Sequence, residues 1–340
     1  MKRVSLLVVG ILLLVLIPVL AGATPAAPSV SQIDVIAAAA YDYLNDPDTQ
    51  LNISSKDLLA QMLADGPFIV SIRKPEDYAT GHVPGAVNLP ASILFERDTL
   101  ATLPKDKKIV PYCYTGHTGS QVTAMLGMCG YDATNLLWGI MGWTKDTSVA
   151  TKQFSNPTTD LPVETTANTP TATYELPVVD VTASADSREI VRTACMDYAT
   201  AGLKNIKAPD LYALISDADS SNDPVIVSVR KAEDYAKGHI PGAINISLKD
   251  IAKVEKLQTL DPSKMIVVYC YTGRTGSQAT AVLNALGYDA KNLVWGISGW
   301  TTDPVVAPKR FNPETSVDYP FQSGAGEAVV VTSGGGGGCG

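Results

Sequence analysis

The sequence predicts an α/β protein of two like domains, each a central, mostly parallel sheet flanked by helices. Three observations carry this. The chain repeats itself at a constant spacing of 157 residues. Within each copy, short apolar runs alternate with helical stretches. In both copies one of those runs ends in a cysteine that opens a glycine-containing loop.

The repeat is read directly. VSIRKPEDYATGHVPGAVN starts at Val70 and VSVRKAEDYAKGHIPGAIN at Val227. The same spacing links His82 to His239, Cys113 to Cys270, Tyr131 to Tyr288, Trp138 to Trp295, Trp143 to Trp300 and Phe154 to Phe311. Self-similarity of this kind means one structural unit used twice, and 340 residues suit two domains. The expected units are residues 33–150 and 188–304. Between them, 151–187 is rich in Thr and Pro, a linker composition, although Val178 to Val181 could add a short strand. Residues 305–340 form an extended tail ending in a glycine run and Cys339.

Taken in order, Phe68 to Ile72 is a buried-strand pattern, and a short helix follows around Glu76 to Ala79. Val87 to Leu89 suits an edge strand and Ile93 to Leu103 a helix. Lys108 to Tyr112 is the strand that runs into Cys113. Gly119 to Met128 reads as helix, Asn135 to Trp138 as strand, and Met141 to Lys145 as a closing turn. Strands alternating with helices imply a parallel sheet covered on both faces. Pro111 stands where the second copy has Val268. A proline cannot donate to a central ladder, so the first site should be slightly irregular there.

Net charge is −8. An acidic surface argues against nucleic acid or anionic membrane as a partner. Lys2 and Arg3 precede an apolar run from Val4 to Leu20 and small residues at Ala21-Gly22-Ala23, the pattern of a cleaved secretory signal over 1–23. The alternative is an anchor, but the run is short and contains Gly10 and Pro18. Export to a bacterial periplasm is the expected destination. Five cysteines at wide spacing do not resemble a disulfide scaffold.

The chemistry is expected at CYTGHTGSQ from Cys113 and CYTGRTGSQ from Cys270. A cysteine leaving a parallel strand and entering a helix N-terminus meets converging backbone N–H groups and the positive end of a helix dipole. Such a cradle stabilises a thiolate, and equally the terminal sulfur of a persulfide. A strand-end cysteine can also be merely a small buried hydrophobe. Two copies with one motif favour the functional reading. Gly116 and Gly273 should let the loop curl, while Gly119 and Gly276 should let it pass tightly into the helix.

These residues resemble the rhodanese family over about 35–150 and 190–305. The resemblance rests on Arg73-Lys74 and Glu76 leading to Gly81-His82-Val83-Pro84-Gly85-Ala86, the Cys113 loop, Gly130-Tyr131, Trp138-Gly139 and Trp143, and on their counterparts Arg230, Gly238 to Ala243, the Cys270 loop, Gly287-Tyr288, Trp295-Gly296 and Trp300. It implies a rhodanese-like α/β domain in each copy and transfer of sulfane sulfur from thiosulfate or a similar donor to a thiol or cyanide, with no metal or organic cofactor. Cys113 and Cys270 become the nucleophiles. The substrate cradles become Tyr114, Thr115, Gly116, His117, Thr118 and Gly119, and Tyr271, Thr272, Gly273, Arg274, Thr275 and Gly276. Family members often carry Asp where Ser71 and Ser228 stand, and tandem members often keep only one of the two cysteines. Phosphatases of the same fold place arginine six residues after the cysteine, where this chain has Gly119 and Gly276.

Other residues take plainer readings. His82 and His239 suit structural turns, Cys129 aligns with Leu286 as a core position, Cys195 suits a buried helix position, and the tryptophans read as packing anchors. Arg73 and Arg230 either support the cysteine loop or form surface ion pairs. Cys339 is an incidental thiol on a free tail or an arm that receives sulfur or engages an envelope protein. The loops differ at His117 and Arg274. The second domain should therefore handle thiosulfate better than the first, because Arg274 is always charged, and first-site activity should rise toward pH 6 as His117 gains charge. A second reading of the whole is a binding or scaffolding module without turnover.

Overall fold

The computed structural model describes residues 31–325 apart from 65, 158 and 159. The expected leader and Cys339 lie outside these residues. The first unit runs α1 (Gln32–Asn45), β1 (Asn52–Ile53), α2 (Ser55–Met62), β2 (Phe68–Ser71), α3 (Pro75–Thr80), β3 (Val87–Asn88), α4 (Ala91–Leu94), α5 (Arg97–Ala101), β4 (Ile109–Tyr112), α6 (His117–Met128) and β5 (Asn135–Leu136). The second repeats it as α7 (Ser187–Ala201), β6 (Asn205–Ile206), α8 (Ala208–Ser216), β7 (Val225–Ser228), α9 (Ala232–Ala236), β8 (Ile244–Asn245), α10 (Val254–Leu257), β9 (Ile266–Tyr269), α11 (Arg274–Ala285) and β10 (Ala290–Leu293). The helix expected over Ile93 to Leu103 is two short helices, α4 and α5. Val178 to Val181 forms no strand, and Val178 is exposed.

Every strand pairing within the two sheets is parallel. The second sheet has the order β6-β10-β9-β7-β8. The first keeps the same order but splits into β1-β5 and β3-β2-β4, joined by a bridge between Ile109 and Ala133. The break falls at Pro111, which has no N–H to give where Val268 pairs with Asn292.

Among the described residues the core has three parts. One lies on the outer face of each sheet, around Trp143 in the first unit and Trp300 in the second. The third is shared. It joins α1 and α6, through Ile36, Val122 and Met125, to α7 and α11, through Val191, Val282 and Leu283. The two helices that begin just after the cysteines therefore meet across the domain boundary. Buried glutamines one turn into each reach into the other unit. Gln121 Nε2 donates to Lys204 O at 3.2 Å, and Gln278 Nε2 to Leu51 O at 3.0 Å.

The segments after each unit are exchanged. The Thr/Pro-rich stretch is not a loose spacer, because part of it docks on the second unit. Trp300 Nε1–H donates to Pro162 O at 2.7 Å, and Glu164 pairs with His239 backbone to backbone. The tail returns to the first unit in the same way. Trp143 Nε1–H donates to Pro320 O at 2.9 Å, and Gln322 pairs with His82.

Candidate active site

Cys113 and Cys270 sit at the carboxyl ends of β4 and β9, and both are buried. The chain then turns through Gly116 (φ +84°) and Gly273 (φ +88°), a region glycine enters without steric cost. This turn aims the Gly116 and Gly273 amides back at the sulfurs, each donating to Sγ at 3.1 Å. Twelve-residue helices start at the next residue, so each sulfur lies at a helix N-terminus. Gly119 and Gly276 keep the passage into the helix tight. A Cβ there would meet Asn135 Oδ1 at 2.6 Å or Asn292 Oδ1 at 2.9 Å, so the helix is pressed onto the neighbouring strand.

Trp138-Gly139 and Trp295-Gly296 form the wall of each loop. Both tryptophans have positive φ, +70° and +67°, a conformation costing non-glycine residues about 1–3 kcal/mol. It is held by the turn that follows. Ile140 N–H donates to Cys113 O and Ile297 N–H to Cys270 O, each at 3.0 Å. A Cβ on Gly139 or Gly296 would lie 2.4 Å from that same carbonyl oxygen. The tryptophans are thus more than packing anchors. The signal was their fixed spacing from the cysteines in both copies.

Arg73 and Arg230 are buried and are not surface ion-pair partners. Arg230 donates to Val306 O at 2.9 Å and Gly238 O at 2.6 Å, and Arg73 to Val149 O and Gly81 O. Each guanidinium lies 5.5–6.0 Å from the two tyrosine rings flanking its cysteine. They bind the Gly-His turn, the domain exit and the cysteine strand together. His82 and His239 are turn histidines. Each Nδ1 lies 2.9 Å from a tyrosine carbonyl, and each ring stacks on that tyrosine.

Tyr114 and Tyr271 were expected to serve through their backbone, but their hydroxyls are also anchored. Tyr271 donates to Asp234 at 2.6 Å and Tyr114 to Asp77. Burial and these carboxylates push both phenols up to about 12, so they remain donors. Lys152 and Lys309 stand over the same rings at 4.0 and 4.5 Å. Both lysines are exposed and keep the repeat spacing. Sequence reasoning overlooked them, though that spacing was the available signal.

His117 and Arg274 require a correction. Their side chains face each other's domain, because α6 and α11 pack together there. Arg274 is buried, donates to Thr115 O at 2.7 Å and to Thr272 O, and lies 3.6 Å from the Trp138 ring centre. One guanidinium therefore ties the two cysteine loops together and is not free to fork onto a donor. Burial pulls it down to about 9, opposed by the negative charge either cysteine can carry, so it stays charged at neutral pH. His117 Nε2 accepts from Trp295 N–H at 3.0 Å, and Nδ1 lies 2.8 Å from Thr115 Oγ1. Burial, and then the Arg274 charge, hold His117 well below its ordinary value. It does not become the cation expected near pH 6.

Comparison with known proteins agrees with this geometry. The Rhodanese-like domain family matches residues 55–146 and 208–303, more than half of the chain. A sulfurtransferase of Allochromatium vinosum is 35% identical over 98 residues, 28% of this chain and 90% of that protein. A thiosulfate sulfurtransferase of Escherichia coli is 41% identical over 64 residues, 18% of this chain and 60% of that protein. An HTH-type transcriptional regulator of Mycobacterium tuberculosis is 40% identical over 78 residues, 23% of this chain and 33% of the regulator. The chain belongs to the rhodanese family, carries its domain twice, and shares the family's general activity of sulfur transfer.

Proposed function

We propose that the chain transfers sulfane sulfur from thiosulfate or a similar small donor to a thiol or cyanide, using Cys113 and Cys270 as separate nucleophiles. The observation that carries this is the 3.1 Å amide-to-sulfur contact at the head of a helix in each domain. A cysteine thiolate attacks the outer sulfur of thiosulfate. The S–S bond breaks, and sulfite leaves with the electron pair. The terminal persulfide sulfur then takes the place the loop amides face, until an acceptor thiolate or cyanide attacks it and the cysteine thiolate departs. The loops Tyr114–Gly119 and Tyr271–Gly276 serve as the cradles. Arg73 and Arg230 support them from below, and Lys152 and Lys309 offset the acidic surface for an approaching anion. Burial of both sulfurs favours small donors over protein donors. The basic, apolar N-terminus supports export, with a mature end near Thr24, which N-terminal sequencing of the secreted chain checks.

Sulfite release from thiosulfate tests the nucleophiles. Each of Cys113→Ser and Cys270→Ser should retain activity, and the double variant should lose it. Full activity in the double variant would overturn the assignment and favour a module without turnover.

A further inference from the structure

Two cysteines outside the sulfur-transfer sites meet across the domain boundary. Cys129 ends α6 in the first unit, and Cys195 lies on α7 in the second. Cys129 N–H donates to Met125 O at 3.1 Å, and the Cys195 thiol points at the same carbonyl from the other side at 3.8 Å. The repeat shows that this is not a general feature of the interface. Cys129 matches Leu286, and Cys195 matches Ala40 when Asp42-Tyr43 is aligned on Asp197-Tyr198. Each unit thus supplies one cysteine to this contact, and the repeat-related positions, Leu286 in the second unit and Ala40 in the first, carry none.

Access is uneven. Cys195 is fully buried, whereas Cys129 is partly exposed at the edge of a cleft of about 730 Å³. Arg97, Lys105, Arg188 and Arg192 line that cleft, with Asp186 and Glu189. Arg97 and Arg192 both pair with Glu189, so one carboxylate answers two cations. The remaining positive charge suits a small disulfide bearing carboxylates.

We propose that Cys129 and Cys195 form a disulfide linking the two domains, by exchange with a small anionic disulfide. The Cys129 thiolate attacks one sulfur of the oxidant and expels one thiolate, leaving a mixed disulfide on Cys129. Cys195, once deprotonated, attacks the Cys129 sulfur and expels the second thiolate. The protein's two thiols are oxidised, the oxidant's disulfide is reduced to two thiols, and the two cysteine protons pass to the departing groups. The neighbouring Cys129 and then burial hold the Cys195 thiol well above its ordinary value, so the second step is the slower one. This proposal is independent of persulfide chemistry at Cys113 and Cys270.

The test uses the full chain incubated with glutathione disulfide, alkylated with iodoacetamide and digested without reduction. The expected product is one peptide pair containing Cys129 and Cys195, released by dithiothreitol and absent from Cys129→Leu, the residue of the other copy. The oxidised wild type should also unfold at a higher temperature, a gain missing from Cys129→Leu and Cys129→Ser. Quantitative alkylation of both thiols, glutathione stopped on Cys129, or pairing of either with Cys339 would overturn the proposal.

Discussion

Arg274 bridges two backbone carbonyls, Thr272 O in its own cysteine loop and Thr115 O in the other. Each charge-assisted bond is worth about 1.5–3 kcal/mol, and the Trp138 face adds a cation–π contact. Arg274→Gln should therefore lower stability and slow persulfide formation at both cysteines, as followed in the two single Cys→Ser backgrounds. A defect confined to Cys270 would show that Arg274 serves only its own loop. His117 supplies a pH test. Unfolded, it titrates near about 6.5; folded, it lies well below. Between those values the unfolded chain binds the extra proton, so the stability is full above about pH 6.5 and falls as pH drops toward the folded value. His82, lowered by burial, acts in the same direction. Urea midpoints should fall less steeply between pH 7 and 5.5 in His117→Asn than in wild type. The identity of these residues was legible in the sequence, but their direction was not. Which way a loop side chain points depends on how two units dock, and no local pattern records that.

At the scale of elements, the duplicated motif made the strand-cysteine-helix unit readable, because apolar strand, glycine turn and helix follow one another within a few residues. The irregularity at Pro111 was readable too, since the missing N–H is a property of the residue itself. Pro111→Val should restore a ladder donor between β4 and β5. The expected gain is about 0.5–1.5 kcal/mol, measurable by denaturant unfolding along with slower amide exchange around Ala133 and Thr134. Unchanged exchange there would mean that the first sheet is limited by something other than the proline. The division of the Ile93 to Leu103 stretch into α4 and α5 was not readable. Phe95 is buried between the two helices, a tertiary contact that overrides local helical pattern.

At the scale of the whole molecule, the exchanged segments hold each unit closed with chain that follows the other. Their composition suggested a linker and a tail, and composition alone does not show that Pro162 and Pro320 offer carbonyls to buried tryptophans. Tyr319 packs edge-on against Trp143 with ring centres 5.2 Å apart. Tyr319→Ala should destabilise the first unit by about 1–3 kcal/mol, seen as an earlier unfolding phase for that unit in hydrogen exchange. An equal effect on both units would mean that they unfold as one.

The central claim is that each domain carries a working sulfur acceptor. Intact-mass measurement of the full chain after brief thiosulfate treatment and removal of excess donor tests it most directly. The account predicts a species bearing two added sulfur atoms, one on Cys113 and one on Cys270, each lost in its own Cys→Ser variant and both discharged by cyanide. A chain that gains no sulfur, or gains it equally well in the double variant, would contradict it.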